Sequence, residues 1–172
     1  MYMLSTSLLI VKLLLINFHS LSFQSDGNTI SMSNFQNKKV LIVNIATGSD
    51  KAGQLSDLQQ LQLQFADSLV IIAFPSNSFG NEPRSDADIR QFCQQNYSTS
   101  FLIATKSSVS GSALNPVIGW LADKTKNGEL DAAITNDFQK FLITKEGMIV
   151  GVFSSKVSPL DADLIEAINM SY

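Results

Sequence analysis

Val40-Leu41-Ile42-Val43-Asn44-Ile45-Ala46 is a run of seven residues interrupted by a single polar side chain. A strand with one wet face alternates polar and apolar residues, so an unbroken β-branched run marks a strand covered on both faces. Such a strand belongs at the centre of a sheet. Downstream, Leu55, Leu58, Leu61 and Phe65 recur every three to four residues. That spacing predicts an amphipathic helix over about residues 53–67, with Leu63 off its apolar face. A second buried run, Leu69-Val70-Ile71-Ile72-Ala73-Phe74, follows, and strand, helix, strand in that order implies a parallel crossover.

Working outward, Phe18, Leu21 and Phe23 alternate with polar residues and lead into Asp26-Gly27-Asn28 and then Ile30, Met32 and Phe35. Asp-Gly-Asn between two such runs predicts a β-hairpin. Beyond the second buried strand, Ser85-Asp86-Ala87-Asp88 reads as a capped helix start leading through Ile89, Phe92 and Cys93. Asn115-Pro116 opens another helix, with Val117, Trp120 and Leu121 on one face. The segments Phe138–Ile143 and Met148–Phe153, joined by Lys145-Glu146-Gly147, read as an antiparallel hairpin. Ser158-Pro159 is the expected start of the last helix, with serine as cap and proline at its first position. The sum is a hairpin, then βαβ, then a helix, then ββα. This is an α/β chain with the thioredoxin-like order: an N-terminal β-hairpin and a mixed central sheet flanked by helices.

The chain has 172 residues, 45% of them hydrophobic and 16% charged, enough for one cored domain but not two. That domain is expected over residues 18–172. Twelve Lys and Arg stand against fifteen Asp and Glu, a net charge of −3, and the basic residues are scattered, so nothing offers phosphates a basic stripe and nucleic acid is excluded as a partner. Residues 1–17 carry the apolar stretch Leu8–Ile16, read as an export signal or short anchor that would give the chain its only membrane contact. It lacks a preceding basic residue, Lys12 interrupts it, and it is shorter than the roughly 18 residues that span a bilayer. The alternative is a helix packed loosely on the domain. Cys93 is the one cysteine and His19 the one histidine, so no internal disulfide or CxxC pair exists, a multi-histidine metal site is excluded, and no cofactor is expected.

Four ordered motifs carry a family resemblance. Lys38-Lys39-Val40-Leu41-Ile42-Val43-Asn44-Ile45-Ala46-Thr47 resembles the glutathione peroxidase segment that ends N-V-A-S and runs into the peroxide-reactive residue. Phe74-Pro75-Ser76-Asn77-Ser78-Phe79-Gly80, with Glu82-Pro83 and Ser85-Asp86, is similar to F-P-C-N-Q-F-G…E-P-G-S. Phe92-Cys93-Gln94-Gln95-Asn96-Tyr97 resembles the segment holding the resolving cysteine of thioredoxin-using members. Asp137-Phe138-Gln139-Lys140-Phe141-Leu142 resembles W-N-F-x-K-F-L without its tryptophan. The resemblance implies a thiol-dependent peroxidase with glutathione or a thioredoxin-like protein as reductant. It also implies that Ser49 stands where that family has its peroxidatic Cys or selenocysteine, Ser78 where it has glutamine, and Asn136-Asp137 where it has Trp-Asn. All four site positions are therefore substituted, while Gln54, Leu58, Phe74, Pro75 and Phe138 agree.

The substitutions bear on chemistry. A free thiol with a pKa of about 8.5 is a few per cent thiolate near neutrality, and its sulfur can be oxidised and regenerated. A serine hydroxyl can do neither. The N–H donors that the resembled site aims at its anion are also altered: Ser78 could supply one at shorter reach, Asn136 another, and Asp137 can only accept. If Asp50 and Asp137 both lie within about 6 Å of residue 49, each opposes an anion there by roughly 2 to 3 kcal/mol at an effective dielectric of about 20. Cys93 matches the resolving cysteine but has no sulfenic acid to attack; it reads first as a small apolar helix residue and alternatively as a lone reactive thiol. Trp120 reads as core, Asp26-Gly27-Asn28 as a turn rather than a calcium loop, and Gly48-Ser49-Asp50 as a turn before a helix start whose aspartate repels anions. Three functions follow as expectations: a catalytically impaired peroxidase homologue, an oxidoreductase acting through Cys93, or a thioredoxin-like binding module.

Overall fold

Asp26 and Gly27 both take positive φ, 49° and 76°, the pair that a two-residue type I′ turn requires. They join β1 (Ser22–Ser25) to β2 (Asn28–Ser31), so the hairpin stands where the sequence puts it. In this computed structural model, which describes residues 15–171, Phe18–Ser20 ahead of it forms a 3-10 turn rather than strand. Asn17 Oδ1 accepts the backbone N–H of His19 there, and this local bond outcompetes extension.

The buried run becomes β3 (Lys39–Ile45), all seven residues buried. After it come α1 (Gln54–Gln64), β4 (Leu69–Pro75), α2 (Asp86–Tyr97) and β5 (Leu102–Ile103). Two short helices, α3 (Pro116–Leu121) and α4 (Lys124–Asn127), precede β6 (Lys140–Ile143), β7 (Ile149–Phe153) and α5 (Ala162–Asn169). The five-stranded sheet has the order β5-β4-β3-β6-β7. β3 is parallel to β4 and antiparallel to β6, which makes the sheet mixed. β5 has only two residues, too short for a periodic signal, and the sequence reading lacks it. The last helix starts at Ala162 with Asp161 as its cap, accepting the N–H of Asp163, and not at Pro159. Ser158 is held in a turn instead: its carbonyl accepts from Asp161 and its hydroxyl donates to Asp57.

Alternate residues of β3 serve opposite layers, as the pleat demands. Val40 and Ile42 join Phe74, Phe141, Phe23 and Trp120 on one face; Leu41, Val43 and Ile45 join Leu55, Leu58, Cys93 and Leu164 on the other. Leu63 lies outside the core, as its place off the helix face implies. Trp120 is core: its ring sits 5.1 Å from that of Phe18, and its Nε1 donates to Ile16 O at 2.7 Å. Ile16 N donates in turn to Lys126 O. The end of the expected 1–17 segment is thus fastened to α3 and α4, while residues 1–14, the bulk of the expected signal or anchor, lie outside the described residues. Among the described residues no helix is long and apolar enough to cross a membrane.

Lys140, the first residue of β6, is fully buried, and its Nζ donates to the carbonyls of Phe138 and Val157 at 2.8 and 2.7 Å. Burial pulls its pKa down to about 8, with Asp57 opposing the shift. A folded pKa below the unfolded value means that the unfolded chain holds the proton more tightly, so the penalty is complete below pH 8 and is relieved as pH rises toward about 10.5. Comparing Lys140→Met with the parent by chemical denaturation should show the parent gaining up to about 3 kcal/mol relative to the variant between those limits. A stability difference independent of pH would show that Lys140 is not desolvated as described.

Candidate functional site

The β3 strand ends at Asn44 and Ile45, and everything around residue 49 is fixed from there. Asn44 is buried, and its side chain reaches across to the segment before β6: Nδ2 donates to Asn136 O at 3.0 Å and Oδ1 accepts from Gln139 N at 3.1 Å. Its backbone carbonyl accepts from Phe138 N at 2.7 Å. Phe138 is held at φ 65° while fully buried, a left-handed conformation that an aromatic residue adopts only when its surroundings over-determine it. The buried Lys140 ammonium, bonded to the Phe138 carbonyl, is part of that constraint. The result is that Asp137 is turned inward, 5% exposed.

Three residues beyond Asn44, Thr47 is gripped by Glu82. The fully buried Glu82 carboxylate accepts from Thr47 N at 2.6 Å, from Thr47 Oγ1 at 2.8 Å and from Arg84 N at 3.2 Å. Arg84 Nη1 donates to Thr47 Oγ1 at 2.7 Å, and its guanidinium lies over the Phe92 ring. A buried carboxylate with three donors is tolerable where an unpaired one is not. Next, Gly48 N donates to Asn81 O at 3.0 Å, and a Cβ on Gly48 would meet that oxygen at 2.7 Å, so the close approach requires glycine. The Asn81 side chain then donates to Asp137 Oδ2 at 2.7 Å. Residues 48 and 137 are thereby brought to the two sides of Asn81.

Ser49 follows in a turn, 8% exposed, with Ser49 N bonded to Ala46 O. Its hydroxyl accepts from Lys51 N at 3.3 Å and donates weakly to Asp50 Oδ1 at 3.4 Å. α1 begins at Gln54 after turns over 49–53, so residues 48–50 form a turn ahead of a helix start, as their sequence suggests. Asp50 meets the distance condition, with Oδ1 3.4 Å from Ser49 Oγ, but its field there is weakened. That side chain is 82% exposed and paired with Lys51 at 2.8 Å, and the Lys51 hydrogen bond and charge hold its carboxyl below the usual range. Water and a cation at contact distance screen it from residue 49. Asp137 is the carboxylate left inside, and its Oδ1 is buried without a partner.

The other expected site residues divide. Ser78 Oγ accepts from Ser76 Oγ and Val109 N, at 2.9 and 3.1 Å. Asn136 is exposed and contributes its backbone carbonyl to Asn44. Among the hydrogen bonds of the described residues none joins Ser49 to Ser78, Asn136 or Asp137; the link from 49 to 137 runs through Gly48 and Asn81. Cys93 lies in α2, fully buried among Leu58, Ile89, Phe101 and Ile103. Burial, reinforced by Glu82 and opposed by Arg84, pushes its thiol up to about 11. Asn81 and Arg84 are the functional residues that sequence reading misses. Glu82 was visible only as part of a motif, because its partner Thr47 is brought to it by the fold.

The architecture and this strand-end arrangement define a thioredoxin-like protein with its candidate site outside the carboxyl ends of the central strands. The glutathione peroxidase family model matches residues 18–122, and the chain belongs to the glutathione peroxidase family. It is 38% identical over 136 residues to the glutathione peroxidase-like peroxiredoxin gpx1 of Schizosaccharomyces pombe, covering 78% of this chain and 85% of that one. It is 34% identical over 146 residues to a glutathione peroxidase of Lactococcus lactis, covering 83% and 92%. The solved apo structure of Trgpx superposes with a TM-score of 0.65 at 26% identity, over 90% of this chain and 96% of the other. A thioredoxin family thiol:disulfide interchange protein from Chlorobium tepidum gives 0.64 at 18% identity, over 90% and 97% of the two chains, a likeness of fold alone.

A thiol with a pKa of about 11 is thiolate in about one molecule in ten thousand at pH 7. Under native conditions Cys93 should therefore resist an aromatic disulfide reagent between pH 7 and 9, and react fully once the chain is unfolded in denaturant. Rapid native labelling with an apparent pKa below 9 would contradict its described burial.

Proposed function

We propose that this chain is a glutathione peroxidase homologue that has kept the family's framework and lost its peroxide-reducing chemistry. The observation that carries the reading is the alcohol at residue 49. In a thiol peroxidase the thiolate attacks one peroxide oxygen; an S–O bond forms as the O–O bond breaks, the leaving oxygen takes a proton, and the sulfur becomes a sulfenic acid. One thiol then condenses with the sulfenic acid, forming a disulfide and releasing its oxygen as water, and a second thiol exchanges with that disulfide to restore the free thiol. An alkoxide at Ser49 is inaccessible near neutral pH, and its oxygen has no sulfenic level to occupy.

Two further features favour the same reading. Ser49 spends its hydroxyl on the local turn with Lys51 and Asp50, while the inward carboxylate of Asp137 offers acceptors where the family offers an N–H donor to an anion. The Cys93 alternative is disfavoured by full burial of that sulfur within the core. Its thiol would have to leave the helix interior to meet either a peroxide or a reductant. Glutathione or a thioredoxin-like reductant is the partner class that the family suggests, and in this reading neither is turned over.

The experiment is a peroxidase assay of the purified chain with hydrogen peroxide and with a lipid hydroperoxide, supplied with glutathione or with a thioredoxin system. Consumption of reductant should not exceed the protein-free rate in any combination. Turnover abolished by Cys93→Ala would replace this reading with the Cys93 oxidoreductase, and turnover that survives Cys93→Ala would contradict both.

A further inference from the structure

The residues at the end of the apolar N-terminal stretch are built into the folded domain. Leu15 lies against the end of α4: a Cβ on Gly128, which follows that helix at φ 81°, would come within 3.0 Å of Leu15 Cδ1. Ile16 is held through both backbone groups, its N–H donating to Lys126 O at 2.9 Å and its carbonyl accepting from Trp120 Nε1 at 2.7 Å. That is the indole's one hydrogen bond among the described residues, and Trp120 is 1% exposed. Asn17 opens the 3-10 turn, its Oδ1 accepting from His19 N and its carbonyl from Ser20 Oγ. Phe18 is buried beside the Trp120 ring and touches the β6–β7 turn, where a Cβ on Gly147 would meet its own Cβ at 3.1 Å.

Loss of these four residues would leave the buried indole N–H without an acceptor and a void beside its ring, both of them destabilising. An export signal is cut beyond its apolar stretch, after two small residues separated by one other. The first such pair after Leu8–Ile16 is Ser20 and Ser22. A cut there would remove residues 15–18 together with Leu21, whose carbonyl accepts from Met32 N and whose side chain packs against the core. The product would lack part of its own fold. We infer that Leu15–Phe18 is a structural clasp of the mature domain, and that the apolar stretch ahead of it stays on the chain instead of being cut away as an export signal. The turn that Phe18 touches follows Ile143, the β6 residue paired with Val40 at the end of the sheet away from residue 49. The clasp and the loss of chemistry at Ser49 can therefore fail independently.

Intact-mass spectrometry of the protein isolated from the cells that encode it reads the mature N-terminus. The mass should include the whole Leu8–Ile16 stretch, and an N-terminus anywhere beyond Leu8 would overturn its retention. Trp120 is the only tryptophan, so its fluorescence reports on the clasp in the full chain. Ile16→Pro removes the N–H given to Lys126 and restricts the backbone that presents the carbonyl to Trp120. It should shift the emission to the red and lower Tm by about 3 to 8 °C. Ile16→Val keeps both backbone groups and should match the parent in both readings. Leu15→Ala, at a position 40% exposed, keeps the test readable if Ile16→Pro does not fold, and should lower Tm by about 2 °C or more. Parent-like emission and Tm in Ile16→Pro, or an unchanged Tm in Leu15→Ala, would show that residues 15–18 are no clasp.

Discussion

The buried side chain of Asn44 is the constraint on which the site depends. β3 pairs in register with β6 from Val40 to Val43, and the Asn44 backbone carries the contact on through Gln139 O and Phe138 N. Asn44 continues the ladder with its amide, offering a donor to Asn136 O and an acceptor to Gln139 N. Loss of either bond would leave a buried polar group unmet, at a cost of about 1 to 3 kcal/mol. Because both ends are held, the intervening Phe138 can be kept in a left-handed conformation and Asp137 turned inward. Glu82 does the corresponding work for the other wall by fastening Thr47, and Asn81 joins the two walls through Gly48 and Asp137.

This arrangement separates scaffold from chemistry. The clamps on Asn44, Thr47, Gly48 and Phe138 are backbone-directed, so they hold the turn whatever side chain residue 49 carries. A family member can therefore lose its reactive sulfur without losing its fold, and the surroundings are then free to drift. In the proposed reading Asp137 marks such drift: an inward acceptor, half satisfied by Asn81, is compatible with a neutral alcohol nearby. Asp50 is not part of this effect, since Lys51 and solvent meet its charge.

The central strands and the helix caps were legible because their signals are local. Continuous β-branched runs reveal β3 and β4, Asp26-Gly27 reveals the hairpin, and Ser85 caps α2 as its sequence implies. Errors fell where two local signals competed or where none exists. Ser158-Pro159 and Asp161 are both valid helix openings, and Asp161 prevails because Ser158 is drawn to Asp57 from α1, a contact remote in sequence. β5 is two residues long and is recruited by pairing with β4. In the site, the resemblance points to residues 49, 78, 136 and 137. Their bonding is not legible there, because Asn81 and Val109 reach Asp137 and Ser78 only once loops from different strands have met. The outward turn of Asp50 was hidden for a simpler reason: sequence gives a charge but not its direction.

The titration of the thiol in a Ser49→Cys variant, followed by thiolate absorbance with Cys93 replaced by alanine, tests the separation of scaffold from chemistry most directly. If the anion-directed donors are gone, as the proposed reading has it, the restored thiol should titrate at or above the ordinary value of about 8.5. A pKa well below 7 would mean that the surroundings still stabilise an anion at residue 49, and that only the sulfur atom had been lost.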